Sequence, residues 1–244
     1  MYESCITFQH GTFRHHYLCH YLSMATAADP LSRSLMKFKR GARPDVDAWI
    51  DCALTALAAL AKDRPDPDTI LVRALGHGET HVSGHRPVPL DLLGDSLASQ
   101  SGCRYLPGLL SKSRGTLANK GLSPRERVAQ LLDVYSAAPM HSPPGPATSF
   151  LVIDDILTTG ATVRAITLAL SRSAPGLPIR LFTLARASQD PLPGPPEPLQ
   201  GRVFRLDPLS GWQLSDPADH SKDPAGPGAA FPDDNPGRFG RPPY

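Results

Sequence analysis

The pattern of apolar and polar segments predicts an α/β protein: an open, mainly parallel sheet with helices on both faces, followed by a disordered, proline-rich C-terminal tail. Three observations predict it. Apolar runs at 69–75, 150–153 and 179–185 have the continuous Val, Ile, Leu and Phe character of strands buried on both faces. Segments with apolar residues at helical spacing, 45–62, 90–101 and 163–173, alternate with those runs. Finally, 13 of the 27 prolines fall in residues 191–244, among few large apolar side chains, so that segment buries too little surface to offset its ordering entropy.

Along the chain, Phe13 to Leu22 reads as a strand, and Pro30 to Phe38 as a short helix with Leu31, Leu35 and Phe38 on one face. Asp45 to Lys62 is a helix that turns Trp49, Ile50, Ala53, Leu54, Leu57 and Leu60 toward a core, with Pro44 and Asp45 suited to its start. Thr69 to Leu75 is a strand leading into Arg73-Ala-Leu-Gly-His-Gly-Glu79. Leu90 to Ser101 is a helix, and Arg104 to Leu106 starts a short strand. Ser123-Pro-Arg-Glu126 is a capping box with proline at the first helical position, so a helix is expected from there to Tyr135. Ser111 to Gly121 then becomes a basic loop. Met140 to Ala147 is a linker, and Ile179 to Ala185 a last strand. The expected organisation is an N-terminal segment, 1–44, serving as a hood; a domain, 45–186; and the tail, 187–244. Within the tail, Val203, Phe204, Leu206, Leu209 and Trp212 could dock on the domain.

Charge is nearly balanced, 25 Lys and Arg against 23 Asp and Glu, so global electrostatics disfavour a nucleic-acid binder. No segment approaches a membrane span and the N-terminus lacks a basic, then apolar, leader; a cytoplasmic location without membrane contact is expected. Cys5, His10, His15, His16, Cys19 and His20 are crowded enough to raise zinc binding. Against it, there is no Cys-x-x-Cys, and Phe13 to Leu22 reads as strand.

Residues 150–162, Phe-Leu-Val-Ile-Asp-Asp-Ile-Leu-Thr-Thr-Gly-Ala-Thr, carry the functional signal. A buried strand ends in two carboxylates, and a threonine- and glycine-containing turn opens a helix. Successive N–H groups at such a turn, with the positive end of a helix, bind phosphate without a lysine. Asp154 and Asp155 suit a sugar diol or a hydrated magnesium ion beside it. An ordinary crossover needs one Asp or Thr as cap, not two acids and three threonines. No Gly-Lys-Ser/Thr phosphate loop lies nearby and no GxGxxG occurs.

The segment resembles the signature of the type I phosphoribosyltransferases. That likeness implies that Asp154 and Asp155 hold the ribose hydroxyls of phosphoribosyl pyrophosphate, and that Thr158, Thr159, Gly160, Ala161 and Thr162 hold its 5-phosphate. It further implies a pyrophosphate loop after the 69–75 strand, at Arg73, Ala74, Gly76 and His77. Gly76 and Gly78 allow close backbone approach, and Arg73 or His77 could lend charge. Lys112 and Arg114, on the basic loop, would close over the leaving group and neutralise its charge. Magnesium would be held through ligand and water rather than directly by the protein.

Leu110-Ser-Lys112-Ser-Arg114-Gly-Thr116, followed by Leu122-Ser-Pro-Arg-Glu-Arg127 and Leu131, resembles the ComF-type branch, and Arg86 to Ala98 can be laid on that family's arginine and helix segment. Pro87-Val-Pro-Leu90 stands where the branch has Gly-Phe-Asn-Gln, Asn119 where it has glutamine, and its cysteine-paired zinc module is missing. Two functions follow as expectations. One is transfer of phosphoribose to or from a nitrogenous base or amine, with pyrophosphate release and a homodimer as compatible assembly. The other is a non-catalytic sensor or adaptor of phosphoribosyl pyrophosphate with a protein or single-stranded DNA partner.

Overall fold

The computed structural model describes residues 1–22, 29–60, 63–82, 87–116, 126, 129, 131, 133–139, 147–188, 203–207 and 211–215. In chain order the elements are β1 (Tyr2–Phe8), β2 (Gly11–Leu22), α1 (Pro30–Lys39), α2 (Arg43–Ala58), β3 (Thr69–Arg73), α3 (Pro89–Ser101), β4 (Arg104–Tyr105) and β5 (Leu110–Lys112). They continue with β6 (Tyr135–Ala137), β7 (Ser149–Leu157), α4 (Ala161–Ser173), β8 (Ile179–Ser188), β9 (Val203–Asp207) and β10 (Gly211–Ser215). The main sheet has the order β1-β2-β8-β7-β3-β4. Every neighbouring pair in it is parallel except β1 with β2.

Alternation along the central strands sends side chains to two separate cores. Leu71, Leu151, Ile153, Phe182 and Leu184 meet Leu35 and Phe38 of α1, Trp49 and Ala53 of α2, and Leu93 and Leu97 of α3. Ile70, Val72, Phe150, Val152 and Leu181 meet Val163, Ile166 and Leu170 of α4 on the other face, together with Leu110, Leu131 and Tyr135. The continuous apolar runs of the sequence are therefore strands covered on both sides, as the α/β pattern requires. Local chemistry fixes the helix starts. Asp29 accepts the Ser32 N–H at 2.7 Å ahead of Pro30, and Asp91 accepts the Val88 N–H at 3.0 Å at the start of α3.

Three expectations are revised. The 1–44 segment does not arch over the domain as a hood with its first part: β2 pairs with β8 from Arg14 to Leu22, and β1 forms the sheet's antiparallel edge. Burial of Phe13, Tyr17 and Leu18, together with the ladder bonds, makes the sheet the better place for this hairpin. Tyr135 does not end a helix. Glu126, Ala129 and Leu131 are helical, Asp133 turns the chain with φ 54°, and Tyr135 begins β6, which pairs with β5. In the tail, β9 and β10 form an antiparallel hairpin, Asp207 opposite Gly211; the rest of 187–244 beyond Ser188 lies outside the described residues.

Candidate active site

The site lies at the carboxyl ends of β3 and β7, where open α/β sheets bind ligands. Along β7 the alternation slips by one residue. Ile153 and Ile156 both pack toward the α1–α3 core, while Val152 and Leu157 pack toward α4. Asp154 and Asp155 occupy the slip. The Asp155 N–H donates to Asp154 Oδ1 at 2.8 Å, and the Ile156 N–H to Asp155 Oδ1 at 2.6 Å. The two carboxylates thus bond the backbone where the side chains change face, while β7 itself stays paired with β8 through Leu157.

The acids meet different cations. Asp155 is paired with Lys39 of α1 at 3.0 Å. Among the described residues, no lysine or arginine lies within ion-pair distance of Asp154. Burial, then repulsion from Asp155, pushes the Asp154 carboxyl up to about 7, with Lys39 and Lys112 opposing. Lys112 differs from its expectation. Instead of riding a loop, it ends β5, is buried, donates to the Gly76 carbonyl at 2.6 Å, and sits 5.3 Å from the Tyr135 ring centroid. Burial pushes its ammonium down to about 8. The Tyr135 hydroxyl fixes this platform through the Leu75 carbonyl, to which it donates at 3.0 Å.

At the end of β3, where the loop begins, Arg73, which the resemblance places at the pyrophosphate, is engaged within the chain. The Arg73 guanidinium is 1% exposed and forks between two carboxylates: Asp91, through Nε and Nη2, and Glu79, through Nη1 at 2.8 Å and Nη2 at 2.9 Å. A charge so buried needs such partners, and while both carboxylates hold it no face is free. Ala74 gives its N–H to the Ile153 carbonyl at 2.9 Å, tying the loop to β7. The Gly76 N–H donates to Glu79 at 2.5 Å. The His77 carbonyl accepts from the N–H and hydroxyl of Thr116, at 2.7 and 3.1 Å. Residues 113–116 therefore lie on the 76–78 loop. Arg114, between them, is exposed; residues 117–125 lie outside the described ones.

On the other side of the acids, Thr158 and Thr159 are exposed and Gly160 has φ 75°, a conformation that suits glycine. Gly160 opens α4 without a side-chain cap, so the amides of Ala161 and Thr162 face the turn with no cap of their own. A Cβ on Gly160 would stand 3.4 Å from the Phe8 ring. The hairpin tip also reaches α4: His10 Nε2 is 2.8 Å from Thr167 Oγ1, and Arg164 donates to Gln9 at 3.2 Å.

The structure thus gathers Asp154, Asp155, Lys112, the 74–77 loop and the 158–162 turn at one end of the sheet. Sequence reasoning missed Lys39, Glu79 and Tyr135. Glu79 carried a faint signal, three residues after a glycine in a turn; Lys39 is 116 residues from its partner and carried none. Of the N-terminal histidines, His10 bonds Thr167, and His15, pushed down to about 3 chiefly by burial, bridges Ser4 and Thr183, whereas both ring nitrogens of His16 and Nε2 of His20 are buried without a hydrogen bond. Among the described residues the group with metal-ligand spacing is Glu3, His16 and Asp63, and Arg14 already pairs with both of its acids. No described helix is long and apolar enough to cross a membrane.

No family model matches the chain, and no curated protein gives a significant match. Among solved structures the chain is similar to the adenine phosphoribosyltransferase of Leishmania tarentolae, at 15% identity and a TM-score of 0.36, over 68% of this chain and 90% of that one. It is also similar to a second adenine phosphoribosyltransferase, at 18% identity and a TM-score of 0.32, over 59% of this chain and 68% of that one.

Proposed function

We propose that this chain binds phosphoribosyl pyrophosphate and transfers its phosphoribose to a nitrogenous base or amine, releasing pyrophosphate. The observation that carries the reading is the strand-end slip. It sets Asp154 and Asp155 on β7 a few residues ahead of an uncapped helix N-terminus, with the glycine loop after the neighbouring strand β3 beside them and Lys112, from β5, bonded to that loop.

In this reading the two carboxylates accept bonds from the ribose hydroxyls, and the amides of Gly160 to Thr162 hold the 5-phosphate. The bond from the anomeric carbon to pyrophosphate breaks as that carbon becomes cationic, and a bond to the acceptor nitrogen forms. Lys112 and Arg114 lie on the pyrophosphate side and offset its developing charge; a well-aimed cation of this kind contributes about 2–4 kcal/mol. Holding donor and acceptor together supplies the remainder. Two adjacent carboxylates, one short of cationic partners, fit a hydrated magnesium ion held through ligand and water. That ion would neutralise diphosphate oxygens.

Calorimetry with phosphoribosyl pyrophosphate and magnesium tests the reading: Asp155→Asn should weaken binding at least about tenfold, roughly the worth of one charge-assisted contact. Unchanged affinity would refute it. A second reading, a ComF-type sensor or adaptor that binds without transferring, draws on one feature: Lys112 is buried and already bonded to the Gly76 carbonyl. Pyrophosphate release with a panel of bases separates the two, and a titration with single-stranded DNA at two salt concentrations tests that partner.

A further inference from the structure

Glu79 performs, inside the chain, the part that an oxyanion would perform. Its carboxylate takes the Gly76 N–H at 2.5 Å and the Arg73 guanidinium at 2.8 and 2.9 Å. These are a glycine-loop amide and a fixed cation, the donor set that recognises phosphoryl oxygens. Of Arg73, only the side toward Glu79 leads outward, because Asp91 holds the other and is itself bonded by Tyr105 at 2.8 Å. Glu79 is the exposed member, with 26% of its side chain accessible against 1% for Arg73 and 8% for Asp91. The turn is also closed through backbone, the Glu79 N–H donating to the Gly76 carbonyl at 3.0 Å. Withdrawal of the side chain alone would therefore open the donors without unfolding the loop.

Charge points the same way. With Glu79 in place, the Arg73 guanidinium faces two carboxylates, Glu79 and Asp91, a surplus of negative charge where a diphosphate would have to enter. With Glu79 swung out, Arg73 and Asp91 balance, and the Lys112 ammonium nearby is no longer offset by Glu79.

We propose that Glu79 is an intramolecular competitor for the diphosphate end of the ligand: it fills the Gly76–Arg73 anion hole in the free chain and is displaced on binding. This deepens the proposed function and rests on it for the identity of the ligand. A competitor tethered three residues from the amide it covers lowers apparent affinity by the fraction of time it occupies the hole.

The test is calorimetry of wild type, Glu79→Gln and Glu79→Asp with inorganic pyrophosphate, with and without magnesium. Glu79→Gln keeps size and an acceptor for Gly76 but loses charge, so pyrophosphate should bind about tenfold more tightly than to wild type. Glu79→Asp keeps charge but shortens the reach, and should tighten binding by less. If Glu79→Gln loses its thermal transition, Glu79→Asp decides alone in the same sense. Equal or weaker binding by the folded variants overturns the proposal, as does weakening seen only with magnesium, which would make Glu79 a support for the ion. A parallel arm with phosphoribosyl pyrophosphate separates the two ideas. Tighter pyrophosphate binding by the variant with no binding of phosphoribosyl pyrophosphate by either protein would leave the anion hole standing and sink the proposed function.

Discussion

Lys39 Nζ lies 3.1 Å from Asp155 Oδ1 and 3.0 Å from Oδ2, joining the last residue of α1 to the end of β7. A partly exposed pair of this kind is worth only about 0.5 kcal/mol to folding. Its larger effect is electrostatic, because Lys39 also opposes the rise of the Asp154 carboxyl. Lys39→Met should therefore change the urea midpoint little while moving the pH at which phosphoribosyl pyrophosphate binding is half-maximal upward. An unshifted pH profile would show that Lys39 only anchors α1.

Asp154 itself should make stability depend on pH. Its native carboxyl titrates near 7 against an ordinary 3.8, so between those values the folded chain holds a proton that the unfolded chain has lost. This stabilising contribution is complete below the ordinary value and disappears as pH rises through the native one. Asp154→Asn keeps an oxygen for the Asp155 N–H and removes the titration. Its Tm should come closest to the wild type's at about pH 3.5 and exceed it by a margin that grows up to about pH 8. Ligand binding should move oppositely in the wild type, strengthening with rising pH as Asp154 ionises. A difference in Tm that is the same at both pH values would place the carboxyl's titration elsewhere.

The central strands were legible because burial on both faces leaves a continuous apolar run, as in Phe150 to Ile153. The acid pair and the turn after it were legible for a related reason: they are contiguous, so one stretch of sequence contains a strand end, two carboxylates and a helix start. The partners of those acids were not. Lys39 reaches Asp155 through the packing of α1, and nothing in Leu31, Leu35 and Phe38 says which strand end that helix will meet. Lys112 was read from the basic character of its neighbours, yet its pairing in β5 depends on Tyr135, whose own strand was hidden behind a helix start at Ser123. Arg73 looked like a free cation because the sequence separates it from Asp91, which α3 brings back to it.

Gly94 tests whether packing overrides propensity in α3. In an exposed helix, glycine to alanine stabilises by about 1 kcal/mol. Here an added Cβ would stand 2.6 Å from Cζ of Tyr105, whose hydroxyl donates to Asp91. The ring would have to move, and with it the third partner of the Arg73 network. Overpacking of this kind costs about 1–3 kcal/mol, so Gly94→Ala should destabilise the chain in urea despite the better helix former. Tyr105→Phe, which removes only the hydroxyl, should partly relieve that penalty in the double variant if the displaced bond is the cause.

Gly160 makes the complementary case, where space is adequate and backbone is not. The Cβ of an alanine there would meet the Phe8 ring at 3.4 Å, an ordinary contact, but φ 75° costs an L-residue about 1–2 kcal/mol. Gly160→Ala should lower the free energy of unfolding by that amount, and Gly160→Asn by less, because asparagine tolerates the left-handed region. If the amides of Gly160 to Thr162 hold the 5-phosphate, the strain has a second outlet: the turn relaxes and the donors lose their common aim. Phosphoribosyl pyrophosphate should then bind more weakly to Gly160→Ala than to Gly160→Asn, in the same order as their stabilities. Equal affinities alongside unequal stabilities would separate the conformation of this turn from ligand binding.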